Sequence, residues 1–256
     1  MPSDFRPVLW LLKLGAGVNL YFIATVIAIA TPEPRVVVPA LILLAVSAFR
    51  CLFPNRYLDN VVFHDSPLSS IFLTRLLATF SEVAYIYQFS IVIRVLNVDS
   101  VGWVDALAWI MVVQVVVSQG FVWGAILTRR LHLYFFEELG WWVIFAANTA
   151  ASAFLYWAPE TPVHGHGLLL LNLVFGAGYL PWQVFHLRSL RAEASEPVAP
   201  TGWRSGLHDA IYQRNRRTDA GAWGGVIGLT WMLAYWVALI PWWVHHIARV
   251  ISDPTG

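Results

Sequence analysis

Apolar residues recur along the chain in seven long runs, approximately 8–30, 36–53, 69–96, 103–127, 139–157, 166–186 and 223–247. About 20 such residues in a helix cross a hydrocarbon core of roughly 30 Å. Segments that cannot continue a helix cheaply separate them, including Thr31-Pro32-Glu33-Pro34, Asn97 to Gly102, and Ala158-Pro159-Glu160-Thr161-Pro162. The pattern predicts an all-α membrane protein, a single-domain bundle of seven transmembrane helices. Pro39, Pro181 and Pro241 fall inside runs and predict local kinks.

Short loops keep Lys and Arg on the cytoplasmic side. Arg50, Arg56, Arg129, Arg130, Arg188, Arg191, Arg204, Arg214, Arg216 and Arg217 lie in alternate loops, whereas the opposite set holds little beyond Arg35, Arg94 and Arg249. The N-terminus is therefore expected in the cytoplasm and the C-terminus outside, in a bacterial inner (cytoplasmic) membrane. Arg6 and Lys13 before a run ending Ala28-Ile29-Ala30 also fit a cleaved signal peptide. The length of the run and the tight hairpin after it favour a retained span. The long loop 188–222 begins as a polar linker through Ser195, Glu196 and Pro197. It then places Trp203, Leu207 and Ile211 at helical spacing beside several arginines, a possible interfacial helix over 203–217.

Composition agrees with the runs: 58% hydrophobic and 12% charged is not a soluble balance. A net charge of +1 with no continuous basic face gives no reason to expect nucleic acid. One cysteine, Cys51, excludes an internal disulfide. Many of the 14 tryptophans stand near span ends as interfacial anchors, while Trp109, Trp123, Trp231 and Trp236 lie deeper, where they pack between helices or line a cavity. Gly221, Gly224, Gly225 and Gly228 give overlapping small-xxx-small pairs at the entry to the last span, a candidate surface for a helix–helix oligomer.

The third run carries Arg75, Glu82, Gln88 and Arg94 among apolar residues. An ionisable group at depth needs a partner or a wet cavity. Arg75 lies roughly 9 Å and Glu82 roughly 20 Å into the span, on one face, with Ser81 and Gln88 on the adjoining side. By depth, Gln114, Gln119, Asn148, Asn172 and Thr230 are the partners available from other spans. These amides serve either as interhelical hydrogen bonds or as the lining of a polar pocket. At the cytoplasmic mouth Arg50, Arg56, Arg75, Arg129 and Arg130 accompany Asp59, Asp65, His64, His132, Glu137 and Glu138. The two glutamates, read at the entry of the fifth span, either cap that helix or find polar partners.

Glu137-Glu138-Leu139-Gly140-Trp141 resembles the first motif of the CAAX-protease-like intramembrane metalloproteases, which have an arginine where Trp142 stands here. The family's Phe-xxx-His and His-xxx-Asn motifs are not found at matching depth, and no catalytic role is carried over from five residues. His164, His166, His245 and His246 are metal candidates only if three imidazoles converge within about 2.1 Å of an ion. A seven-span rhodopsin requires a lysine in the last helix, and none is there. No Gly-rich phosphate loop, Gly-x-Ser-x-Gly or His-Glu-x-x-His occurs. No cofactor is indicated.

The leading expectation is a sensor or transporter holding a small amphipathic or anionic, lipid-like ligand in a cytoplasm-open pocket. Arg50, Arg75, Arg129 or Arg130 would take the anion, and Glu82, Gln88, Gln119 and Asn148 a polar or protonatable group. The alternatives are an intramembrane enzyme acting on a lipid or isoprenoid, with Glu82 or Glu137/Glu138 as acid or base, and a structural subunit of a membrane complex.

Overall fold

The computed structural model describes residues 6–194 and 200–252, so Ser195, Glu196 and Pro197 of the expected linker lie outside the described residues. The architecture is all-helical but for three two-residue strands, with seven helical segments among the described residues long and apolar enough to cross a membrane. On α4 (Gly102–Thr128), Trp109, Ile110, Val113, Val116 and Val117 form an exposed apolar stripe at helical spacing. A soluble fold would bury such a stripe, whereas hydrocarbon accommodates it. The chain divides into two compact units, Met1–Ser81 with Leu207–Arg249, and Glu82–Gly206 with Val250–Gly256.

In the first unit α1 (Arg6–Ile27) packs on α2 (Pro34–Leu52), and both touch α8 (Gly225–Trp236). Glu33 caps α2: its carboxylate accepts from the Arg35 backbone N–H at 3.1 Å and from Arg35 Nε at 2.8 Å. Pro34 follows in the first turn, where no backbone N–H is required. After α2 the chain forms a small hairpin, β1 (Asn55–Arg56) antiparallel to β2 (Val61–Val62). Asp59 and Asn60 take positive φ in the turn, a conformation short polar side chains tolerate. β2 also pairs in parallel with β3 (Asn215–Arg216), Val61 opposite Asn215 and Val62 opposite Arg216. The amphipathic helix α7 accordingly covers Trp203–Tyr212 and stops short of Arg214–Arg217, because those residues are drawn into sheet pairing.

The last span is two helices, α8 and α9 (Leu239–Ser252). Pro241 explains where the break falls: its ring cannot coexist with the helical carbonyl four residues earlier, that of Val237. The interruption sits at Val237 and Ala238, whose N–H groups both turn to Leu233 O at 2.9 and 3.2 Å. Trp236 O, left without a helical donor, accepts from Asn19 Nδ2 at 2.8 Å and from Cys51 Sγ at 3.4 Å. Gly15 lets α1 approach the break, since a Cβ there would lie 2.6 Å from Val237 Cγ2. Pro39 and Pro181 leave α2 and α6 (His166–Glu193) continuous.

In the second unit α4 packs on α5 (His132–Trp157) and α5 on α6. Gly140 and Gly176 make these approaches possible, for a Cβ at Gly140 would overlap Ser118 Oγ and one at Gly176 would overlap Thr149 Oγ1. Helix α3 (Ile71–Leu96) contributes its first residues to one unit and Glu82 onward to the other. Asn97 secures the turn after it, accepting from Val101 N–H at 3.0 Å and donating to Asp105 Oδ1 at 3.0 Å.

Candidate functional site

The first unit contains a cavity of about 200 Å³ lined by Arg50, Asn55, Arg56, Tyr57, Trp223, Gly228, Met232 and Trp236. Arg50 reaches it from the last turn of α2. Pro54 and the β1 strand then fold the chain back, bringing Asn55, Arg56 and Tyr57 beside that turn. Arg50 Nη1 donates to Tyr57 Oη at 3.0 Å and Nη2 to Asn55 O at 3.4 Å. Its guanidinium carbon lies 4.7 Å from the Trp236 ring centroid and 5.5 Å from that of Tyr57. Arg50 is only 8% exposed, and its Nε–H is buried without an acceptor. Arg56 Nη1 donates to Ala222 O at 2.9 Å. Among the described residues neither Arg50 nor Arg56 forms an ion pair with a carboxylate.

That is an unusual charge balance. A buried charge whose partner has been removed typically costs 3–5 kcal/mol, and aromatic faces return about 2 kcal/mol or less each. The indole and phenol hold Arg50 without neutralising it. Tyr57 carries a second cation, with the Arg75 guanidinium carbon 5.6 Å from its ring centroid. Asn55 is fixed by its amide N–H groups, which meet Thr74 Oγ1 at 2.6 Å, Ser69 O at 2.9 Å and Ser70 O at 3.4 Å. This orients the amide without ambiguity, yet its Oδ1 is buried and accepts from nothing. Trp223 closes the lining by stacking on Phe63 at 4.0 Å and donating Nε1–H to Arg217 O at 3.0 Å.

The glycines before α8 serve this corner. Gly224 and Gly225 have φ of 82° and 63°, and a Cβ at Gly228 would overlap Trp223 O. Gly221 lies in a 3-10 turn and Gly224 in a left-handed cap, so neither belongs to the helical face their spacing suggested.

The other candidate carboxylates belong to the second unit, Glu82 and Glu137 buried and Glu138 half-buried. Gln119 Nε2 donates to Glu82 Oε2 at 3.0 Å and to Val115 O at 3.3 Å. Gln183 Nε2 donates to Glu138 Oε2 at 2.7 Å and to the Glu138 carbonyl at 3.0 Å, while His186 Nε2 stands 4.0 Å from Glu138 Oε1. Glu137 is buried, and its carbonyl accepts from Ser118 Oγ at 3.5 Å. α5 begins at His132, not at Leu139, because Leu133 to Phe136 extend the apolar helix. The two glutamates are thus past the first turn, where the macrodipole has faded, and Glu138 is held by Gln183 instead of by the helix end. Asn148 and Asn172 do meet: Asn172 Nδ2 donates to Asn148 Oδ1 at 3.3 Å and to Ser152 Oγ at 3.0 Å.

Arg75 and Gln88 are fully buried on α3. Arg129 is the exposed, left-handed cap of α4, and Arg130 follows it, also exposed. His245 Nε2 lies 3.0 Å from Thr25 Oγ1 and stacks on Phe22, and His246 stacks on Trp242. His166 Nδ1 lies 3.3 Å from Pro162 O, and His164 is exposed. Among the described residues no three His, Cys, Asp or Glu side chains gather as a metal site requires.

Of the arginines expected to bind an anion, Arg50 lines the cavity. Arg56, Asn55, Tyr57, Trp223, Gly228, Met232 and Trp236 complete the lining, and their convergence was not expected. Part of the signal is local: Asn55-Arg56-Tyr57 follows Arg50 with no acidic residue before Asp59. No family model, curated protein or solved structure matches the chain.

Proposed function

We propose that this chain is a multi-pass membrane protein that binds a small anionic, lipid-like ligand by its headgroup in the Arg50–Arg56 cavity, as a sensor or transporter. The observation that carries the reading is the Arg50 guanidinium, buried against Trp236 and Tyr57 with no carboxylate paired to it among the described residues. About 200 Å³ falls below the 300–1,000 Å³ usual for whole small-molecule ligands, which suits a headgroup whose tail remains in lipid. The lining has no carboxylate or imidazole for acid–base work, which favours binding over an intramembrane enzyme using Glu82 or Glu137/Glu138. The interrupted last span, whose Trp236 lines the cavity, supports a transporter within this reading, since discontinuous helices beside polar cavities are a transporter trait. The arginine bias of the loops supports a cytoplasmic N-terminus.

The test is calorimetric titration of the purified protein with decyl phosphate. Arg50→Gln and Arg56→Gln are each expected to weaken binding at least tenfold, while Glu82→Gln leaves it unchanged. Equal affinity in an Arg50→Gln/Arg56→Gln double variant that remains folded would overturn the assignment.

A further inference from the structure

A groove of about 290 Å³ lies in the second unit between α5 and α6. Phe135, Leu139 and Trp142 line it from one stripe of α5, and Val184 and Leu187 from one stripe of α6. Arg188 and Arg191 continue the α6 stripe and close one end. Depth separates the two parts. At about 1.5 Å per residue, counting α6 from His166 puts Val184 roughly 27 Å, Arg188 roughly 33 Å and Arg191 roughly 38 Å along. Counting α5 back from Trp157 gives roughly 22 Å for Trp142, 27 Å for Leu139 and 33 Å for Phe135. Against a hydrocarbon core of roughly 30 Å, the apolar floor lies at acyl-chain depth and both guanidinium groups at headgroup depth.

Both arginines are exposed there, and among the described residues neither pairs with a carboxylate. The groove lining contains no Asp or Glu. Three positions apart on a helix, their Cβ atoms stand about 5–6 Å from one another, so both side chains can reach one phosphate. Snorkelling alone accounts for two arginines at a helix end. It leaves unexplained the apolar groove that runs from them toward the middle of the bilayer.

We propose that α5 and α6 hold one anionic phospholipid of the leaflet that meets this end of the two helices. Its phosphate lies on Arg188 and Arg191, whose planar guanidinium groups suit phosphate oxygens. One acyl chain follows Leu187, Val184, Leu139 and Trp142 inward. Two positive charges without an acidic neighbour select a net-negative headgroup over a zwitterionic one. The site shares no residue with the Arg50–Arg56 cavity and does not depend on the reading given for it.

The test counts lipid adducts by native mass spectrometry as the full chain is titrated with dioleoyl phosphatidylglycerol or dioleoyl phosphatidylcholine in neutral detergent. It is run on the wild-type chain and on Arg50→Gln/Arg56→Gln, which removes the first unit's cavity from the count. In both, one phosphatidylglycerol is expected to bind about tenfold or more tighter than phosphatidylcholine, since each arginine contributes about fivefold. Adding Arg188→Gln/Arg191→Gln should abolish that preference. Val184 is 39% exposed at the rim, so Val184→Trp lays an indole across the groove without touching the arginines. It should weaken the adduct at least fivefold. Equal binding of the two lipids by the wild-type chain overturns the site, as does a preference that survives Arg188→Gln/Arg191→Gln. Loss on removing the arginines but not on Val184→Trp reduces the effect to diffuse charge attraction and overturns the groove. A dimer that Val184→Trp disperses, with lipid binding unchanged, assigns the groove to a second copy of the chain and overturns the lipid.

Discussion

Asn19 is the side chain on which the broken last span leans, and replacing it measures what the break costs. Its Nδ2 donates to Gly15 O and to Trp236 O, each at 2.8 Å, and the residue is fully buried. The bond to Gly15 O is local, to a carbonyl within its own helix, and contributes little. The bond to Trp236 O is worth about 1 kcal/mol, or nearer 0.6 kcal/mol on the scale measured for helices in lipid. Asn19→Ala also leaves that buried carbonyl with only the Cys51 thiol, a weak donor at 3.4 Å, at a cost of about 1 kcal/mol. Asn19 Oδ1 is itself buried and unmet, so deleting it returns part of the loss. A net destabilisation of about 1–2 kcal/mol follows. Pro241→Ala supplies the control. With the ring gone the helix can continue, and Ile240 N–H can reach Trp236 O in the ordinary helical pattern. In that background Asn19→Ala should cost less than about 0.5 kcal/mol, a coupling of roughly 1 kcal/mol. Equilibrium unfolding of the four proteins in mixed micelles measures it. The same loss in both backgrounds, or none in either, would refute the account of the break.

Helix approach is tested by Gly140→Ala, whose methyl overlaps Ser118 Oγ, and by Gly206→Ala, whose methyl overlaps the Leu127 backbone carbonyl. Overpacking of this kind costs about 1–3 kcal/mol, and Gly206→Ala should be the worse in unfolding titrations because a backbone group cannot swing aside. Two loop carboxyls set a pH dependence. The Arg35 hydrogen bonds hold Glu33 below its ordinary value, and the Ala222 N–H followed by Arg217 does the same for Asp219. A depressed carboxyl stabilises the fold above its unfolded value and loses that contribution as pH falls through the folded one. The stability gaps between wild type and Glu33→Gln or Asp219→Asn should therefore be present at neutral pH and vanish in acid. Persistence of either gap at low pH would exclude the ionic cause.

The spans were legible because each is a single apolar run of sufficient length, and six of the seven are single helices in the fold. The break in the seventh was half-legible: Pro241 announces it, and the rule that a proline displaces the carbonyl four residues back moves it to Val237. The start of α5 was misread because Arg129 and Arg130 on one side and Glu137 and Glu138 on the other make Leu133 to Phe136 look like an isolated patch. Strands of two residues have no periodicity, so the pairing of Val61–Val62 with Asn215–Arg216 left no trace in the pattern. Arg50 stood out as a cation at a span end. Its aromatic seat did not, because Trp236 comes 186 positions later and is one of 14 tryptophans.

The discontinuity of the first unit has a consequence for how the protein is made. Its two pieces are separated by the whole of residues 82–206. At 5–20 residues per second that interval lasts on the order of ten seconds. Throughout it Arg50, Arg56 and Asn55 have been synthesised while Trp223 and Trp236 do not yet exist. The nascent chain must hold these two arginines without the indoles that later wall them in. A message truncated within the loop before α7 would yield every arginine of the cavity and none of its tryptophans. Such a fragment should be a substrate for membrane quality control, not a partly active protein.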